Sequence, residues 1–192
     1  MNICIYGASS ERIDRSFTDK GEILGESIAR NGDVVVFGGG ATGMMGAVAR
    51  GASRAGGEII GIVPRFFDVD GVLFDKCTEL IYTDTMSERK SLLEEKADAF
   101  LVTPGGIGTL DEFFETLTLR QLCAHEKPIA IYNINGYFDD TVRMLETAIK
   151  YDFLSAINRS LYFVSDDADK IMEYFNSYST DNTPPARFRG AK

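Results

Sequence analysis

The sequence predicts an α/β fold: one doubly wound, Rossmann-like domain whose mostly parallel sheet is covered by helices on both faces. Short β-rich runs alternate with longer segments of helical spacing along nearly the whole chain. The runs VVVF (34–37) and AFLV (99–102) are apolar without alternation, as expected of strands buried on both faces. Strand–helix alternation implies right-handed crossovers and therefore parallel neighbours.

Ile3–Tyr6 reads as the first strand and runs into Gly7-Ala8-Ser9-Ser10; Ser16–Arg30 then has helical spacing. Val34–Phe37 ends in Gly38-Gly39-Gly40-Ala41-Thr42-Gly43, which opens a helix over Gly43–Ala55. Glu58–Val63 and Leu80–Tyr82 read as strands, separated by Arg65–Lys76, the longest connection, with room for a short helix or a lid. Thr85–Ala97 is a helix and Ala99–Thr103 the next strand, followed by Pro104-Gly105-Gly106-Ile107-Gly108 and a helix over Thr109–Cys123. Ile129–Tyr132, a helix over Tyr137–Tyr151, Leu161–Val164 and a helix over Ala168–Tyr178 complete the domain, residues 1–178. The remainder to residue 192 has turn formers, prolines and basic residues with little to bury, and is expected to be a disordered tail.

The 192 residues suit one domain, with 44% hydrophobic and 26% charged residues. A net charge of −9 excludes a general nucleic-acid binder. Three separated cysteines suggest reduced thiols in a cytoplasmic protein, and one histidine leaves no His-rich metal site. No apolar stretch approaches the ~20 residues of a membrane span, so no membrane association is expected.

Three strands end in small-residue loops followed by helices, and in doubly wound sheets these loops share one edge. Helix N-termini there present free N–H groups and positive potential, suited to a phosphate. Gly38, Gly40 and Gly43 match G-x-G-x-x-G, but after the second strand, and the next strand ends at Val63-Pro64-Arg65 without an acidic ribose ligand. No Lys-Ser or Lys-Thr follows the glycines, so a mononucleotide fits better than a dinucleotide or ATP. Thr109-Leu110-Asp111-Glu112 also fits the S/T-x-x-E capping box, so spacing leaves Glu112 equally a cap or a catalyst. Thr85-Met86-Ser87-Glu88 has the same signature, and there capping is the better explanation. Arg89 and Lys90 stand in the opening turns of a helix, where the dipole disfavours cations, which suggests a phosphate or carboxylate partner.

Pro104-Gly105-Gly106-Ile107-Gly108-Thr109-Leu110-Asp111-Glu112 resembles the PGGxGTxxE signature of the Lonely Guy family of cytokinin-activating phosphoribohydrolases, often mislabelled lysine decarboxylases. Gly43-Met44-Met45-Gly46, Met86-Ser87-Glu88-Arg89-Lys90, and Gln121-Leu122 followed by His125-Glu126-Lys127-Pro128 extend the resemblance to about Tyr178. It implies hydrolysis of the N-glycosidic bond of N6-substituted adenosine 5′-monophosphates, without a cofactor, by Arg89 and Glu112. It also implies substrate contacts at Gly7, Ser9, Gly39, Gly40, Gly43, Met86, Lys90, Pro104, Gly105, Gly106, Ile107, Gly108, Thr109 and Asp111, and a homodimer with sites near the subunit interface. A general adenosine-monophosphate nucleosidase and a nucleotide-binding regulator are the alternatives. Decarboxylation is rejected, because no lysine lies in a recognisable pyridoxal phosphate context. The chain departs from the usual motifs at Ser87, Asp111 and Leu119, where the family commonly has His, Glu and Trp; these departures are expected to affect the base pocket, its rim or a ribose contact.

Overall fold

The computed structural model describes residues 1–69 and 71–179. The expected tail lies outside them apart from Ser179. Seven strands, β1 (Asn2–Tyr6), β2 (Val34–Phe37), β3 (Ile59–Pro64), β4 (Glu79–Thr83), β5 (Ala99–Val102), β6 (Ile129–Tyr132) and β7 (Phe163–Ser165), form one sheet of order β4-β3-β2-β1-β5-β6-β7. Every pairing is parallel, with Ile3 opposite Val35 on one side and Ala99 on the other. Six helices connect or follow them: α1 (Arg15–Arg30), α2 (Gly43–Arg54), α3 (Met86–Lys96), α4 (Ile107–Gln121), α5 (Asp139–Lys150) and α6 (Ala168–Ser177).

Alternate residues of each strand feed two cores, because successive strand side chains point to opposite faces. From β1, Ile3 and Ile5 join Leu24 and Ile28 of α1, Met44 and Val48 of α2 and Ile171 of α6. Cys4 and Tyr6 join Leu93 of α3, Phe113 and Leu117 of α4 and Leu145 of α5. The sheet is thus buried on both faces, as its unalternating apolar strands predict. Strand order grows outward from β1 in both directions, so the switch point lies between β1 and β5. The loops that leave these two strands diverge there and open a crevice.

Element boundaries shift by a few residues where local chemistry wins. The last strand begins at Phe163, because Ala156–Leu161 forms a 3₁₀ helix that takes Leu161 into the second core. Arg65–Phe67 is a single 3₁₀ turn. Beyond it the connection returns to the glycine loop. Ala41 N–H donates to Val72 O (2.9 Å), Phe74 N–H donates to Gly39 O (2.8 Å), and Gly40 bridges to Leu73.

Candidate active site

The loops after β1, β2 and β5 are tied into one unit at the carboxyl edge. Ala8 N–H donates to Pro104 O (3.1 Å), Met45 N–H donates to Ala8 O (3.2 Å), and the Thr42 hydroxyl donates to Ser9 O (2.5 Å). Gly43, at φ +64°, passes so close to Ala8 O that a Cβ would stand 2.3 Å from it. These contacts frame a cleft of about 350 Å³.

Two helix N-termini face it without side-chain caps. The Thr42 hydroxyl is committed to Ser9, so no side chain caps α2 and Ala8 O takes the Met45 N–H instead, and the cap residue of α4 is Gly106, which has no side chain. The N–H groups of Ile107, Gly108 and Thr109 have no partner among the described residues. A Cβ at Gly106 or Gly108 would meet open space. Such a terminus is built to receive an anion.

The cap of α4 lies three residues earlier than the spacing of Thr109 and Glu112 suggests, and this decides the role of Glu112. With Gly106 as the cap, Thr109 is the third helical residue and Glu112 the sixth, too far along to cap. Arg89 instead donates from Nη1 to Glu112 Oε1 at 2.6 Å, the two side chains being 9% and 12% exposed. Burial raises the proton affinity of Glu112 above the ordinary carboxylate value, while Arg89 opposes the rise. The corresponding signature at Thr85 is a true capping box. Thr85 accepts from Glu88 N–H (3.1 Å), and Glu88 accepts from the amides of Thr85 (3.2 Å) and Asp84 (2.9 Å).

Of the residues that the family resemblance implies, the cleft wall includes Gly7, Ser9, Gly40, Met86, Arg89, Lys90, Gly106, Gly108, Thr109, Asp111 and Glu112. Five expected residues stand off it. Gly39, at φ +77°, turns toward Val63, and Gly43 closes the β1–β2 loop contact. Pro104 and Gly105 line a neighbouring hollow with Phe17 and Tyr137, and the Tyr137 hydroxyl donates to Gly105 O (2.7 Å). The Ile107 side chain is 88% exposed, leaving only its amide directed to the helix mouth. Sequence reasoning missed Ala8, Met45, Phe67, Val72 and Leu73, which also line the cleft. Gly38, cited only within the glycine motif, lines it too. Met45, Phe67, Val72, Leu73 and Met86 supply the large apolar side chains of the lining. The only signal for the last part of this wall was the unusual length of the 65–76 connection.

Ser87 is exposed in a separate groove with Arg65, Tyr82 and Glu95, away from the expected base pocket or rim: two positions along a helix turn a side chain by about 200°, so Ser87 points away from Arg89. Leu119 lies in a groove that adjoins the cleft through Lys90 and Asp111. Asp111 remains on the wall, with Lys90 Nζ 3.3 Å from its Oδ2.

Residues 45–175 match a family model described as "Possible lysine decarboxylase". A "Probable cytokinin riboside 5′-monophosphate phosphoribohydrolase" from Oryza sativa subsp. japonica is 33% identical over 92% of this chain and 78% of its own. A "Cytokinin riboside 5′-monophosphate phosphoribohydrolase" from Arabidopsis thaliana is 31% identical over 92% and 82%. Among solved structures, the molybdenum cofactor binding protein from Rippkaea orientalis superposes with a TM-score of 0.71 at 22% identity, covering 92% of this chain and 95% of that one. The carrier protein from Chlamydomonas reinhardtii has the same score at 19% identity, covering 91% and 95%. Those two likenesses concern the fold. The family-model match and the relatives above 30% identity show that the chain belongs to the Lonely Guy family, the group whose model carries the lysine decarboxylase description.

Proposed function

We propose that this protein hydrolyses the N-glycosidic bond of N6-substituted adenosine 5′-monophosphates, releasing the free base and ribose 5-phosphate. The observation that carries the reading is the buried Arg89–Glu112 pair on a cleft wall shared with the uncapped N-terminus of α4. The phosphate binds the free amides of Ile107, Gly108 and Thr109 at the start of α4, and the base lies against Met45, Phe67, Val72, Leu73 and Met86. Scission of the C1′–N9 bond leaves its electron pair on the base and cationic character on the sugar, which a nearby carboxylate stabilises. Glu112 takes a proton from the attacking water, whose oxygen bonds to C1′, and gives that proton up to the departing base, which restores the carboxylate. Arg89 orients Glu112 and favours its ionised form. The family relationship supports this assignment, since the relatives are named as cytokinin riboside 5′-monophosphate phosphoribohydrolases.

A homodimer in the cytoplasm is part of the same proposal and rests on the family resemblance. Incubation with adenosine monophosphate and with its N6-isopentenyl analogue, followed by chromatography, should release more base from the analogue. Equal release would favour the general nucleosidase, and release from neither would leave the regulator. Glu112→Gln and Arg89→Ala should each reduce turnover by at least about 10²–10³-fold with the fold intact by circular dichroism. Near-wild-type turnover in either variant removes that residue from the mechanism.

A further inference from the structure

Outside the Arg89–Glu112 pair lies a second ionic layer. Lys90 Nζ stands 2.5 Å from Glu115 Oε2 and 3.3 Å from Asp111 Oδ2. Asp111 and Glu115 are four residues apart on α4 and therefore share a face one turn apart. Two consecutive cations of α3 thus grip three carboxylates of α4: Arg89 holds Glu112, and Lys90 holds the residues that flank it. A lysine in a nucleotide cleft suggests a phosphate ligand, but this setting argues otherwise. One ammonium between two carboxylates leaves a net negative group, which repels a phosphate. The uncapped amides of α4 offer the phosphate a site without that repulsion.

We infer that Lys90 is a positioning residue, which clamps the first turns of α4 to α3 through Asp111 and Glu115 so that Glu112 keeps its place. The inference rests on the hydrolase reading of the cleft. The charged and titratable groups around Glu112 are Arg89 and Lys90 from α3, Asp111 from its own helix, and Cys4 and Tyr6 from β1. Burial raises the proton affinity of Cys4 and Tyr6, so both stay neutral at physiological pH. Lys90 is therefore the second cation beside the carboxylate, and its charge offsets Asp111.

Lys90→Met should lower kcat about ten- to hundredfold by misplacing Glu112, with KM for the nucleotide nearly unchanged. The acid limb of its pH–rate profile should move to higher pH, because loss of a cation favours the protonated carboxyl. Lys90→Arg should restore most of kcat and return the limb. A rise in KM with kcat and limb unchanged would make Lys90 a phosphate ligand and overturn the inference. So would wild-type kinetics, or a loss of kcat without movement of the limb. If Lys90→Met does not fold, Glu115→Gln decides: clamping predicts lower kcat at constant KM, whereas a phosphate-seeking Lys90, released from Glu115, predicts lower KM. Carboxyl ¹³C titration of Glu112, assigned with Glu112→Gln, reads the same displacement without turnover. If the wild type cleaves no nucleotide, that titration still tests the clamp, so the two failures are separable.

Discussion

Arg89 carries its charge into the first turns of α3, against the helix dipole, and two features make the position tenable. One is Glu112. The other is the bare backbone of Gly38, where a Cβ would stand 2.1 Å from Arg89 Nη2 and 3.2 Å from its Cζ. The guanidinium lies on this glycine, with its other edge toward the carboxylate. A methyl group there would push a buried, paired cation off its partner rather than deflect a free side chain. Gly38→Ala should therefore cut base release by about 10²-fold, the scale of a misplacement of about 1 Å at a reacting centre. Its melting temperature should fall only slightly, because the loop keeps its backbone contacts. Unchanged turnover would show that Arg89 can pair with Glu112 from another position. The pairing could be foreseen from two misplaced cations and a carboxylate; the role of Gly38 could not. In the sequence it is one glycine of three, and only the approach of a side chain from α3 distinguishes it.

At the scale of elements, the two threonine signatures separate by what precedes them. Before Thr85 stands Asp84, in a bend that ends β4, and Thr85 itself is extended, so the helix starts where a hydroxyl can cap it. Before Thr109 stand Gly106 and Gly108, and the helix propagates back through them to Gly106. Cap patterns mark the residue best able to start a helix, whereas loop closure between β1 and β5 sets where this one starts. Thr85→Ala removes the acceptor for Glu88 N–H and should cost about 1 kcal/mol, lowering the melting temperature by roughly 2–4 °C for a chain of this size. Thermal scans of Thr85→Ala and Thr85→Ser check this, the serine variant retaining most of the stability. An alanine variant as stable as wild type would mean that Glu88 alone satisfies the helix start. Strand and helix types were legible because both cores need apolar faces of the correct period. The partners of the 65–76 connection were not, since they depend on main-chain bonds to Gly39 and Ala41 that no side-chain pattern encodes.

Across the whole molecule, local alternation specified a parallel sheet, but the position of β1 at its centre is a property of packing. The same long-range packing sets how the protein should respond to acid, through its one histidine. His125 follows α4, and its ring lies 5.3 Å from that of Phe100 on β5. Lys127 N–H donates to Nδ1 (3.2 Å), which fixes that nitrogen as the acceptor, so Nε2 carries the proton and donates to Thr116 O (3.1 Å). A second proton would have to enter at Nδ1, against an N–H already there. Burial, with the Arg120 and Lys127 charges adding to it, lowers the ring's pKa from 6.5 to about 4. The neutral ring thus contributes stability that is fully present above pH 6.5 and is lost progressively as the pH falls toward 4. The contribution is on the order of 1–3 kcal/mol. Raised carboxyls such as Glu112 and Glu94 act in the opposite direction, since protonation suits their buried sites. The histidine term must therefore be isolated by difference. Urea midpoints of wild type and His125→Gln measured from pH 7.5 to 4.5 should converge as the pH falls, because acid removes from the wild type what the substitution has already removed. Parallel curves across that interval would mean that the ring protonates as easily folded as unfolded, and that the tie between α4, Phe100 and the Lys127 loop does not depend on its charge.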